Sequence, residues 1–460
     1  MRHQSLSPQE SPMVSRDPLT IVRRLLVAAL LIPAASFAPP ASVSRVVLIS
    51  VDGLWSGDLA RAESLGLRLP VLDSLARAGA LAAGVIGSVP SVTYPSHTTM
   101  ITGVRPARHG IYANRRPWMP TDTGPAGEAW YWEADLIRVP TLFDAARAAG
   151  KRTAAVYWPV TADDPSITYN IPEAWVPGFP GDSNLPAVRR RGTPGLLDSL
   201  GAPLVGQVTD SQRARWAADI VRRWDPDLLL LHLIDVDHWK HVTGPTGDSV
   251  WAALGRADRH IGWVLQALRE RPRATAVVVT SDHGFLPYGR ILRPGVLLVR
   301  AGLVTLDAPG RVIGWEAGFV GNGGSAMFLP RDSTDPTMAA RIRAAIPDSL
   351  IGPDRPIRVL WSRDSLRALG GDPRALWAID MNAGHYTTLG FRGELLLERR
   401  GGGHGYDPRR PELHAFFLAA GPGIRSGTRL GVIDQADVGP TVARLLGLRL
   451  TGVEGRDVLR

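Results

Sequence analysis

Apolar positions along the chain fall into two kinds of run. Short, mostly apolar blocks at 45–50 (RVVLIS), 153–157, 228–233 (LLLLHL), 276–280 (AVVVT) and 415–418 lack period-two alternation and predict strands buried on both faces, as in a parallel sheet. Between them, helical spacing covers 71–80, 141–149, 210–223, 251–269 and 438–446, the last entered through Asp437 and Pro440. The alternation predicts an α/β fold with a mostly parallel central sheet flanked by helices. Two stretches depart from it. Segment 163–203 is rich in Pro, Gly and Arg without a period and predicts a surface excursion able to border a pocket. Segment 286–400 mixes short strand and helix patterns and predicts a cap-like subdomain inserted in a catalytic domain spanning 41–460. No internal repeat is visible.

The first residues follow a different pattern. Arg23 and Arg24 precede an apolar run from 25 to 32, then Pro33 and mostly small residues to Ala38. This predicts an export signal over 1–38, with Met13 a more usual start, and a periplasmic or secreted location. The run falls short of the ~20 apolar residues of a membrane span, so cleavage between Ala34 and Ala38 is expected in place of anchoring.

Composition narrows the chemistry. The 460 residues are 45% hydrophobic, enough for a large core. Of the 52 basic residues only Lys151 and Lys240 are lysines, and the net charge of +9 is carried by arginines spread along the whole length. Scattered Arg predicts a small anionic substrate and no nucleic-acid platform. Cysteine is absent, which excludes disulfides and thiolate ligands, so any metal must use His and carboxylate.

The strand blocks end in such residues. Asp52 follows the first, Asp237 and His241 lie beyond LLLLHL, and Asp282 and His283 follow AVVVT. His404 sits in the Gly-flanked run GGGHGY. In open α/β sheets ligands bind beyond the carboxyl ends of strands. These six residues suit zinc without thiolates, and six ligands suggest two ions, which can clamp an in-line phosphoryl transfer. Thr93, two residues before Pro95, stands where a helix opens. Its hydroxyl is the candidate attacking oxygen, with the first helical N–H groups expected to face a phosphate.

VDG at Asp52, VTYPSH at Thr93, HGIYAN at Asn114, DHWKHVTGP at Asp237 and His241, TSDHG at Asp282 and His283, and GGHGY at His404 together resemble the nucleotide pyrophosphatase/phosphodiesterase family of the alkaline phosphatase superfamily. The resemblance runs from about Val46 to the C-terminus and is weakest over 285–400. It implies an alkaline-phosphatase-like fold and two Zn2+ ions, one on Asp237, His241 and His404, the other on Asp52, Asp282, His283 and the Thr93 oxygen. It also implies that Asn114 contacts a phosphate oxygen. Two positions depart from the family's pattern: Ser96 replaces an Asn, and His232 replaces an aromatic residue that stacks on a nucleobase. Tyr94 keeps one aromatic wall, so Tyr94 and His232 are the expected substrate-binding pair.

The expected activity is hydrolysis of phosphate diesters or phosphoanhydrides through a phospho-threonine, by an exported enzyme with no stable membrane span once the signal is removed. The alternatives are a phosphomonoesterase or phosphonate hydrolase of the same superfamily, with Arg115 and Arg116 holding a second phosphate charge, and an inactive anion-binding envelope protein.

Overall fold

In this computed structural model, which describes residues 43–116, 130–174 and 184–460, the apolar blocks form the centre of one sheet. β1 (Arg45–Val51) and β5 (Leu228–Leu233) are buried at every position. Successive side chains go to opposite faces. Val47, Ile49, Leu229 and Leu231 join the core on one side, and Val46, Leu48, Leu228 and Leu230 the core on the other. With β2 (Gly79–Ile86), β3 (Thr153–Val156), β4 (Tyr169–Ile171), β6 (Thr275–Thr280), β7 (Phe417–Ala420) and β8 (Thr428–Asp434), they make eight strands in the order β8-β2-β7-β6-β1-β5-β3-β4. All neighbouring pairs are parallel except those made by β7.

The helices lie near their expected places: Pro70–Ala78, Leu142–Ala148, Asp210–Trp224, Asp248–Glu270 and Val438–Leu445. The first stops two residues short of expectation, because Gly79 and Ala80 open β2, a strand whose sequence GALAAGVI carries little strand propensity. Gly79 is fixed there by close packing, since a Cβ would lie 2.0 Å from the Ala419 carbonyl oxygen. The strand expected over 415–418 is shifted to Phe417–Ala420, with Ala415 making isolated bridges before it. The 163–203 excursion holds more regular structure than its composition predicts: edge strand β4 and the helices Leu185–Arg191 and Leu196–Ser199.

Segment 286–400 builds sheets of its own. Strands Ala317–Gly321, Ser325–Pro330, Trp377–Met381 and Ile357–Ser362 form an antiparallel sheet, and Leu286–Leu292 lies between Gly384–Thr387 and Leu396–Gly403. They enclose a separate core that includes Phe319, Phe328 and Ile379. The segment nevertheless belongs to the compact unit that runs to the C-terminus. Among the described residues no helix is long and apolar enough to cross a membrane. The expected export signal lies outside the described residues.

Candidate metal centre and catalytic cleft

At the carboxyl ends of β1 and β6 the chain turns sharply and leaves Asp52, Asp282 and His283 side by side, all buried. His283 Nε2 lies 3.1 Å from Asp282 Oδ2 and 3.5 Å from Asp52 Oδ1. The other Asp282 oxygen accepts the N–H groups of Gly53 and His283 at 3.0 and 3.1 Å. Burial and the charges of Asp282 and Asp237 push the Asp52 carboxyl well above the usual range. Burial opposes the Asp282 charge too, but the adjacent His283, then His97 and the Gly53 N–H, hold that carboxyl well below it.

The second group comes from a different geometry. After β5 the run that carries the acids and histidines is a helix, Asp235–Thr243, which puts Asp237 and His241 one turn apart on one face. His404, just past the strand Leu396–Gly403, completes the group. His241 Nε2 is 3.5 Å and His404 Nε2 3.8 Å from Asp237 Oδ1. Each histidine turns Nδ1 to a backbone carbonyl, Gly402 at 3.0 Å and Ser91 at 3.3 Å. Those partners assign the proton to Nδ1 and leave two bare Nε2 atoms only 3.2 Å apart. Two facing lone pairs repel each other, and a cation held between them removes the repulsion. Burial and the neighbouring His283 and His241 also push His404 well below the usual histidine range, favouring the neutral ligand form.

The buried atoms left without hydrogen-bond partners include Asp52 Oδ1, Asp282 Oδ2, His283 Nε2 and Asp237 Oδ1. Such orphans are costly in a finished interior. They are the atoms that point at one another within the two groups, so the donor set fits two divalent cations.

Thr93 opens the helix Thr93–Thr102, whose residues are all buried, and is itself 9% exposed. His97, one turn on, binds the Thr93 carbonyl through Nδ1 (2.8 Å) and Ser50 Oγ through Nε2 (2.9 Å), tying the helix start to the end of β1. Burial, aided by His232, pushes His97 down to about 3. The row of N–H donors expected at this helix start is largely committed. Tyr94 N–H donates to Asn114 Oδ1 (2.9 Å), Ser96 N–H donates to the Val92 carbonyl (3.1 Å), and Pro95 has none. With its oxygen thus engaged, Asn114 keeps its amide nitrogen for the cleft it lines.

That cleft, about 410 Å³, is bounded by His241 and His404, by Asn114, Arg115 and Trp130, and by Tyr386 from the 286–400 segment. Tyr94 and His232, the expected substrate-binding pair, are placed elsewhere. Tyr94 is fully buried against Trp130 and Trp132, at ring separations of 5.3 and 6.1 Å. His232 is fully buried because it is the last-but-one residue of β5, facing inward, where Nε2 reaches Asp52 Oδ2 at 3.0 Å and Nδ1 the Tyr157 carbonyl at 3.1 Å. Ser96 also avoids the cleft, 3.3 Å from the Ser88 hydroxyl in the interior. Reading the residues in isolation missed His97, Trp130 and Tyr386. His97 had a signal, since it follows Thr93 by one helical turn.

The sequence pattern of the family described as Type I phosphodiesterase / nucleotide pyrophosphatase matches residues 46–407. The chain belongs to this family. A pyrophosphatase/phosphodiesterase of Schizosaccharomyces pombe, itself uncharacterised, is 25% identical over 426 residues, covering 88% of this chain and 77% of its own. Human ectonucleotide pyrophosphatase/phosphodiesterase family member 7 is 23% identical over 456 residues, covering 94% and 86%. Among solved structures, the inactive threonine-to-alanine variant of murine ectonucleotide pyrophosphatase/phosphodiesterase 5, in complex with AMP, shares the fold with a TM-score of 0.66. It covers 91% of this chain and 100% of that one at 19% identity. Pyrophosphatase/phosphodiesterase hydrolysis is thus the chemistry of the family, and the two ligand groups are the candidate metal sites for it.

Proposed function

We propose that this phosphodiesterase/pyrophosphatase is an exported enzyme holding two zinc ions, one on Asp237, His241 and His404 and the other on Asp52, Asp282, His283 and the Thr93 oxygen, with Thr93 as its nucleophile. The observation that carries the reading is the convergence of buried, partnerless donor atoms at the strand ends beside the Thr93 helix. Bound zinc would supply Lewis acidity toward the phosphoryl group and favour ionisation of a nearby hydroxyl. Thr93 Oγ1 forms the bond to phosphorus as the bond to the leaving oxygen breaks, the hydroxyl proton leaving with that group. Water then hydrolyses the phospho-threonine, which still carries the substrate's remaining substituent, releasing a phosphate monoester and restoring the hydroxyl. The Asn114 amide stabilises the charge that develops on a phosphoryl oxygen, held in place by its bond to the Tyr94 N–H. His97 and His232 hold the helix start and Asp52 in register.

The substrate is a small phosphate diester or anhydride, and a nucleotide suits the cleft, with Trp130 in the wall position expected of Tyr94. A relative of the same fold binds AMP and is inactivated by a threonine-to-alanine change, which supports both points. Monoester hydrolysis is the second reading, favoured by Arg115 and Arg116, which both line the cleft. A panel of a bis-aryl phosphate, a mono-aryl phosphate, dinucleotides and nucleoside triphosphates decides between them, with Thr93→Ala as blank. Faster turnover of diesters and anhydrides, abolished in Thr93→Ala with metal retained, is the expected result. A preference for the monoester would favour the second reading, and an active Thr93→Ala protein would refute the nucleophile.

A further inference from the structure

Gly53 is the point where the two ligand groups meet. Its N–H donates to Asp282 Oδ1 at 3.0 Å, and its carbonyl accepts from Lys240 Nζ at 2.9 Å. Its backbone is left-handed, with φ of +69°, and a Cβ there would lie 2.7 Å from the Phe285 ring and 3.2 Å from Asp237 Cα. Any other residue type would be strained here, would displace the Phe285 ring and would crowd Asp237. Lys240 sits on the helix Asp235–Thr243 between Asp237 and His241, and its own carbonyl packs against Gly402, two residues before His404, where a Cβ would approach to 2.2 Å.

Lys240 is unusual for this chain. It is one of two lysines among 52 basic residues, and its side chain is 1% exposed. Besides Gly53, its ammonium binds Asp58 Oδ2 at 2.5 Å, and that carboxylate oxygen also accepts the Trp55 N–H at 2.9 Å. A buried ion pair is a poor source of stability, since apolar residues of similar volume often serve as well. A buried ammonium does, however, offer three donors, and here it joins the Gly53 carbonyl to the Asp58 carboxylate.

We propose that Lys240 is a positioning residue that sets the spacing of the two ligand groups, tying the Asp52–Gly53 turn and Asp58 to the helix that carries Asp237 and His241. The proposal rests on the two-metal reading above. A cavity of about 580 Å³, lined by Lys240, Asp58, Trp55 and Phe285 among others, gives a small amine access to the vacated position in a Lys240→Ala protein.

The test measures zinc retained per chain at controlled free zinc, with Co2+ absorption as a second readout of ligand geometry. The proteins are wild type, Lys240→Ala and the double variant Lys240→Met/Asp58→Leu, which removes both buried charges and so remains able to fold. The expected result is a loss of zinc affinity of roughly 10-fold or more in both variants, the size usual for groups that orient metal ligands, and recovery of Lys240→Ala by n-propylammonium but not by n-propanol. Wild-type zinc affinity in the double variant overturns the proposal, and so does failure of the amine to restore a folded Lys240→Ala protein. A wild-type chain that binds no metal would instead refute the two-metal reading itself, whereas two zinc ions held equally by all three proteins would refute only the role of Lys240.

Discussion

His232 Nε2 lies 3.0 Å from Asp52 Oδ2 and leaves Oδ1 without a partner, so it would select which carboxylate oxygen faces a bound cation. Replacing it by Phe, the kind of aromatic residue the family pattern expects there, should lower metal affinity about 10- to 100-fold at the Asp52 group, with little change in KM for nucleotide substrates. Metal titration of the purified variant checks this. A raised KM with unchanged metal affinity would return His232 to the substrate wall. Single residues were legible here to differing degrees. The six candidate ligands stood out because thiol-free metal chemistry leaves few choices of side chain, and the candidate nucleophile Thr93 because it stands where a helix opens. The roles of Tyr94 and His232 did not, because what each side chain touches depends on strand register: His232 pairs with Ser50 across β1 and β5, on the inward side, and there it meets Asp52 in place of a ligand.

At the scale of elements, the helix Thr93–Thr102 is held from beneath by His109, whose Nδ1 accepts the Ile111 N–H at 3.1 Å and whose Nε2 lies 3.1 Å from Thr99 Oγ1. Burial pushes His109 down from 6.5 to about 3. Below pH 6.5 the unfolded chain binds a proton that the folded chain refuses. The stabilising contribution is therefore complete above about pH 6.5 and is lost as pH falls toward 3, at a slope approaching ~1.4 kcal/mol per pH unit. Melting temperature should fall less steeply between pH 7 and 4.5 in His109→Gln than in wild type. Equal slopes would show that His109 is protonated in the fold. Elements were legible where pattern and propensity agreed, as in β1, β5 and β6. Among those that were not, β2, mostly Gly and Ala, is a strand because β7 and β8 flank it, and Asp235–Thr243 is a helix whose sequence DVDHWKHVT shows no apolar stripe because its inward face carries candidate ligands.

For the molecule as a whole, the two ligand groups join strands β1 and β6, the helix after β5 and the end of the 286–400 segment, elements far apart in sequence. Metal binding should therefore stabilise the entire fold, by about 4 kcal/mol for a site filled at a thousand times its Kd. Chelation should lower the melting temperature and abolish hydrolysis, and added zinc should restore both. A chelated protein with unchanged melting temperature and activity would remove metal from the account. The parallel sheet was readable because doubly buried strands leave a continuous apolar signature. The architecture of segment 286–400 was not, since its short antiparallel strands alternate irregularly among Gly and Pro.

On the proposed mechanism Thr93 carries the substrate's phosphoryl group during turnover. Rapid acid quenching of the enzyme with a nucleotide labelled at the α-phosphate, followed by peptide mapping, tests it most directly. Label is expected in the peptide that contains Thr93, appearing before product accumulates and absent from Thr93→Ala. Steady turnover with no labelled peptide, under conditions where phospho-threonine survives the quench, would contradict it and point to direct attack by water.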